Sequence, residues 1–86
     1  MIKMSAKLFK NNKVVKSVNF INVNEYEHNK FYSYMSEICR RLELSTPIII
    51  SYHSECYENF NSVKFTADDF MDTFNYDYLF IENQEE

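Results

Sequence analysis

His53-Ser54-Glu55-Cys56 is the one place in this chain where an imidazole and a thiol lie close enough in sequence to share chemistry. Two chemistries are open to such a pair. A zinc ion takes three or four ligands in tetrahedral array, so His53 and Cys56 would supply half a site, with Glu55, Glu58 or Cys39 completing it. A cysteine nucleophile activated by histidine needs in addition an orienting third group and an oxyanion hole, and the sequence identifies neither. The competing reading is a solvated loop with a half-buried thiol, since free cysteine commonly behaves as a small hydrophobe. Cys39 falls one residue after Ile38 in an apolar pattern and reads as core. His28 reads as an exposed polar residue near a helix start. We therefore expect no catalytic residue, no metal and no cofactor.

Carboxylates are the more distinctive chemistry. Residues 1–43 carry eight Lys/Arg against four Asp/Glu, whereas residues 44–86 carry one against nine. The net charge of −4 thus averages a basic half and an acidic half. Glu55, Glu58, Asp68, Asp69, Asp72, Asp77 and Glu82 are the candidate partner-binding residues, with Glu85 and Glu86 beyond them. As acid/base pairs they are poorly served by a domain this small, which has little concave surface in which to shift a carboxyl pKa. As a calcium site, Asp68, Asp69 and Asp72 lack the loop spacing and turn glycine of an EF-hand. A negative face offered to a basic protein partner fits better, because clustered charge speeds association and selects partners. Direct nucleic-acid binding would fall to Lys3, Lys7, Lys10, Lys13 and Lys16, with Phe9 beside Lys7; the overall acidity argues against it, and strand lysines are common edge protection.

Composition narrows the field further. The chain holds no glycine, which excludes phosphate-binding glycine loops, dinucleotide fingerprints and the nucleophile elbow in their usual forms. Left-handed turn positions then fall to the ten asparagines and to aspartate. Aromatic residues make up 17%, with no Trp, so Tyr and Phe rings fill the core. The N-terminal MIKMSAKLFK alternates rather than forming an apolar signal segment, and no run has membrane-spanning length. A cytoplasmic protein with reduced thiols is the expectation. The 86 residues make a single domain, with 83–86 frayed.

The elements that would position these side chains can be taken in order. Met4, Ala6 and Leu8 alternate with Lys3, Ser5 and Lys7, the period of a half-buried strand; a second strand spans 13–21. A two-residue Asn11-Asn12 loop would set Met4 opposite Asn19. A three-residue loop, Asn11 to Lys13, sets Met4 opposite Phe20 and Ala6 opposite Val18, so the sequence favours the longer loop with Asn in a bulge position. Phe31, Met35, Ile38 and Leu42 draw one apolar stripe, which predicts a single long helix over about 25–44. Asn22 or Asn24 would cap it, Asn24 forming a capping box with Glu27, and Arg40 and Arg41 would complement its carbonyl end. Residues 48–52, IIISY, read as a strand buried on both faces. Residues 53–62 read as a loop or short helical turn, 63–65 as a short strand, 67–72 as a turn capped from Thr66 with Phe70 and Met71 inward, and 76–82 as the last strand.

This order predicts an α+β fold with a mixed four- to five-stranded sheet and one helix packed on one face. Its hairpin, long helix and closing strand resemble the ubiquitin-like β-grasp layout, which implies a last strand parallel to the first. At the level of residues, Ile38-Cys39-Arg40-Arg41-Leu42-Glu43-Leu44, Pro47-Ile48, Phe65-Thr66, Asp68-Asp69-Phe70, Tyr76-Asp77-Tyr78-Leu79 and Ile81-Glu82 resemble a family of small uncharacterised proteins of low-GC Gram-positive bacteria. The family pattern has Trp after Pro-Ile where this chain has Ile49, and it implies no catalytic motif.

The functional expectation is a non-catalytic interaction or regulatory module that engages a protein partner through its acidic C-terminal half or an exposed sheet edge. A phage-type inhibitor of the anti-CRISPR kind, masking a nucleic-acid-binding protein with its carboxylates, is the alternative, and a small Cys/His enzyme or metal site the second.

Overall fold

The computed structural model describes residues 1–85. Strands β1 (Ile2–Lys10) and β2 (Lys13–Asn22) form the expected hairpin. Met4 faces Phe20 and Ala6 faces Val18, as the alternation requires. The loop, however, has two residues: Asn11 and Asn12 both take positive φ, at 54° and 64°, and Lys10 pairs with Lys13. Such a left-handed pair matches the twist of the flanking strands. The register is restored by a bulge between Leu8 and Phe9, where Leu8 faces Lys16 and Phe9 faces Val14, leaving Val15 as the extra residue. The bulge thus falls on Val15 and not on an asparagine.

The predicted single helix is shorter and is joined by a second. A 3-10 turn (His28–Lys30) leads into α1 (Phe31–Arg41), and Phe31, Tyr34, Met35, Ile38 and Cys39 are its buried face. Residues 23–27 stay outside the helix because Tyr26 packs against the core and the Glu27 N–H donates to Tyr34 Oη at 3.1 Å. Asn22 Oδ1 accepts the Asn24 N–H in a local turn, so no asparagine caps the helix. The helix ends in a Schellman arrangement: the Leu44 N–H reaches the Cys39 carbonyl at 2.8 Å and the Glu43 N–H the Arg40 carbonyl at 3.1 Å, with Glu43 at φ 61°.

Residues 48–50 are not a sheet strand. They run extended outside the sheet, with Ile48 and Ile50 exposed, and lead into α2 (Ser51–Phe60), which buries His53, Ser54 and Tyr57. Strand β3 (Ser62–Thr66), a 3-10 turn (Ala67–Asp69) and β4 (Tyr78–Asn83) complete the chain. The Thr66 cap is present, with Asp69 Oδ2 accepting the Thr66 N–H at 2.8 Å; Phe70 is buried as expected but Met71 is 86% exposed. At the C-terminal end Asn83 belongs to β4, and the Gln84 N–H bonds the Lys3 carbonyl at 2.8 Å, so pairing extends past the expected fraying point.

The sheet has four strands in the order β2-β1-β4-β3, and every pair is antiparallel. The expected mixed sheet is therefore corrected, and so is the parallel pairing of first and last strands on which the β-grasp resemblance turned. Ile2, Met4, Ala6, Leu8, Phe20, Val63, Phe65, Leu79 and Ile81 form the inner face, which α1 and α2 cover in one hydrophobic cluster. The other face carries no helix. Among the described residues no helix is long and apolar enough to cross a membrane.

Candidate functional site

α2 and the strand beside it hold most of the candidate residues. Tyr52, Cys56 and Phe60 recur at steps of four along α2 and so lie on one side of it. Tyr52 is 64% and Phe60 73% exposed, unusual for rings this large. With Ser62, Val63 and Lys64 of β3 and Phe80 of β4 they line an open groove of about 370 Å³. β3 is an edge strand, bonded only to β4, so one row of its backbone N–H and C=O groups has no strand partner among the described residues.

His53 and Cys56 do not share a site. His53 is buried against Phe65, with ring centroids 4.6 Å apart. Its Nδ1 accepts the Ile50 N–H at 3.1 Å, which leaves the proton on Nε2, 3.4 Å from Asp69 Oδ1. Both nitrogens thus tie the start of α2 to the turn after β3. Cys56, one turn further along α2, is only partly buried and lines the groove, where the neighbouring thiol holds the Tyr52 phenol pKa above its usual value. Among the described residues no group of three or more His, Cys, Asp or Glu side chains is placed to hold a metal ion. Cys39 is fully buried, and burial pushes its thiol up to about 11.

The seven candidate carboxylates are spread over four parts of the fold. Glu55 and Glu58 lie on α2, Asp68 and Asp69 in the 3-10 turn, Asp72 and Asp77 in the connection to β4, and Glu82 on the outer face of β4. Several serve the fold directly. Besides its bond to Thr66, Asp69 accepts the Ile48 N–H on its main-chain oxygen at 2.7 Å; Asp77 Oδ2 accepts the Asn11 N–H at 2.8 Å and so clasps the hairpin turn; Glu82 accepts from Gln84 Nε2 at 2.8 Å. Glu82 sits on the opposite side of the sheet from Glu55 and Glu58, so the carboxylates do not share one face.

Glu58 is the centre of a network that sequence reasoning missed. Its Oε2 accepts the Tyr26 hydroxyl at 2.7 Å and lies 2.6 Å from His28 Nδ1. These two donors, the phenol first, hold its carboxyl below the usual range. Tyr26 and Tyr57 pack with centroids 5.6 Å apart, and with Glu58, Ile2, Asn61, Asn83 and Glu85 they line a cleft of about 180 Å³. The geometry exhausts what the chain itself offers. Against known protein families, curated proteins and solved structures, the chain matches none. No role is therefore carried over from a relative.

On the outer sheet face, Lys7 and Phe9 do lie together, but Phe9 stacks on Tyr78 at 4.7 Å and 20°, and Lys64 Nζ stands 4.3 Å from the centre of the Tyr78 ring. That ring is already engaged by two neighbours within the sheet. A base-stacking platform needs freely presented rings, and here Phe9 and Tyr78 spend their stacking on each other.

Proposed function

We propose that this protein is a non-catalytic interaction module that binds an extended segment of a partner protein along β3. The observation that carries the reading is the unpaired edge strand beside the Tyr52, Cys56 and Phe60 stripe. Strand addition draws its affinity from main-chain hydrogen bonds at such an edge and its specificity from pockets for alternate side chains. The groove supplies apolar walls for those side chains, and exposed aromatic rings of this size are typical anchors of binding surfaces.

A second copy of the chain is a poor occupant. Antiparallel self-pairing of a five-residue strand about its centre sets Lys64 against Lys64 of the other copy, and like charges facing across strands are destabilising. The partner segment should instead be apolar at the positions entering the groove and acidic or polar opposite Lys64. Of the candidate carboxylates, Glu55 lies one residue from Cys56 on α2 and would flank the segment; the wider acidic surface acts in encounter rather than in the groove.

The test is selection of extended peptides from a displayed library, followed by amide-resolved NMR titration. Shifts and new exchange protection are expected in Ser62–Thr66 with side-chain shifts at Tyr52 and Phe60. Replacing both rings, Tyr52→Ser with Phe60→Ser, should weaken binding at least tenfold while leaving the melting temperature nearly unchanged, because both side chains are solvent-exposed. Peptides that bind elsewhere, or that bind the double variant equally well, refute the reading.

A further inference from the structure

The cleft between Tyr26, Tyr57 and Glu58 is separate from the β3 groove and has a different chemistry. Its walls are two tyrosine rings, its floor includes Ile2, and its polar lining is the carboxylates of Glu58 and Glu85 with the amides of Asn61 and Asn83. No lysine or arginine lines it. Glu58 is fixed through Oε2 by Tyr26 and His28, so that Oε1 has no partner among the described residues. Asn61 and Asn83 are fixed to each other by a bond of 3.2 Å between Asn83 Nδ2 and Asn61 Oδ1. At the rim, the Met1 ammonium stands 3.3 Å from Glu85 Oε2.

An independent observation comes from Tyr57. The residue is only 5% exposed, yet its hydroxyl has no hydrogen-bond partner among the described residues. No buried side-chain oxygen or nitrogen among them lacks a partner, so this hydroxyl is open to solvent, and the cleft is the space that Tyr57 lines. The ring is thus buried while its hydroxyl stays reachable by solvent and is left without a protein partner among the described residues, although tyrosines packed this deeply usually find one. The cleft therefore presents a free phenol oxygen, a free carboxylate oxygen and electron-rich ring faces, all of which attract a cation. Its volume lies below the roughly 300–1,000 Å³ of sites for drug-sized ligands. It suits one side-chain-sized group.

We propose that this cleft binds an alkylammonium group, presented either by a lysine side chain of a protein or by a free aliphatic diamine. Glu58 Oε1 receives one ammonium hydrogen and the Tyr57 hydroxyl oxygen another, while the methylene chain lies along Ile2 and the tyrosine rings. The site goes beyond the strand-binding reading and stands without it.

The experiment is an NMR titration of the full chain with three probes: Nα-acetyl-lysine methylamide, cadaverine and the neutral Nα-acetyl-norleucine methylamide. Expected are saturable shifts at the Asn61 and Asn83 side-chain amides and the Tyr57 ring with the two cationic probes, and at least tenfold weaker binding of the norleucine probe. Glu58→Gln keeps an acceptor for Tyr26 but removes the charge, and should weaken the cationic probes about tenfold. Tyr57→Phe keeps the ring packing and should weaken them several-fold. The lysine probe binding more tightly than cadaverine assigns a protein source; the reverse order assigns a free diamine. Equal binding of the norleucine probe, absence of saturable shifts with any probe, or unchanged affinity in Glu58→Gln overturns the proposal.

Discussion

Replacing Glu43 by glycine should make the protein more stable. Glu43 follows Leu42, the residue that closes α1, and its φ of 61° lies in the left-handed region. An L-residue with a Cβ is disfavoured there by roughly 1–2 kcal/mol, because Cβ crowds the following carbonyl oxygen. Three of the four left-handed positions among the described residues are asparagine, which tolerates the region; Glu43 is the exception. Glycine removes the crowding but loses about 0.5–1 kcal/mol more backbone entropy on folding. A further few tenths of a kcal/mol come from removing a carboxylate at the carbonyl end of a helix, where the dipole opposes it. The net gain is about 0.5–1 kcal/mol, which for a domain of this size raises Tm by about 2–8 °C. Thermal melts of wild type, Glu43→Gly, Glu43→Asn and Glu43→Gln followed by circular dichroism measure it. The expected order of Tm is Gly, then Asn, then Gln at or slightly above wild type. If Glu43→Gly melts with Glu43→Gln or below wild type, the backbone argument is wrong and only charge matters at this position.

Thiol chemistry gives two further outcomes. Cys39 is fully buried in α1 and Cys56 lines an open groove, so a disulfide exchange reagent at neutral pH should titrate one thiol in the native protein and two after denaturation. Cys56→Ser should abolish the native reaction; two native thiols reacting at one rate would contradict the packing of α1. Alkaline pH should destabilise the fold. Burial raises the Cys39 thiol from 9.0 to about 11, and burial followed by the charge of Glu85 raises the Tyr57 phenol from 10.0 to about 12. The folded state thus holds protons that the unfolded chain releases. Stability from Cys39 is complete below pH ~9 and is lost as pH rises through ~11, a loss on the order of 2 kcal/mol. Urea midpoints at pH 8 and pH 10.5 should differ accordingly, and less so in Cys39→Ala measured against its own pH 8 value. A midpoint unchanged across that interval would sink the account.

The hairpin register was legible in the sequence because strict alternation over Met4, Ala6 and Leu8 permits one pairing with Phe20 and Val18. How the chain reaches that register was not. A three-residue loop and a two-residue loop with a later bulge count the same residues, and only the backbone at Val15 tells them apart. The core face of α1 was readable from its stripe, but its start was not, because the Tyr26 side chain outcompetes helix formation by packing with Tyr34 and Tyr57. α2 escaped because its buried face is His53, Ser54 and Tyr57, two polar residues made acceptable by hydrogen bonds to Ile50 and Ser51 and by the approach of His53 Nε2 to Asp69. The preceding isoleucine run imitates a buried strand, and a short apolar run has no period to decide between strand, helix and extended coil. With α2 hidden, Tyr52 could not be aligned with Cys56 and Phe60. Glu58 stood out as an acid, but its partners Tyr26 and His28 lie 32 and 30 residues away.

The strand order sets when this protein can fold. β1 is central, and its second neighbour is the last strand to be synthesised: Met4 pairs with Asn83 across nearly the whole chain. Until residues 78–83 are available, one edge of β1 has no partner, and β3 has no place in the sheet at all, since its only neighbour is β4. The hairpin can close early, but completing the sheet requires a loop closure spanning almost the full sequence, which favours slow folding for a chain of this length. A nascent chain on the ribosome should therefore remain protease-sensitive until the C-terminal strand has emerged.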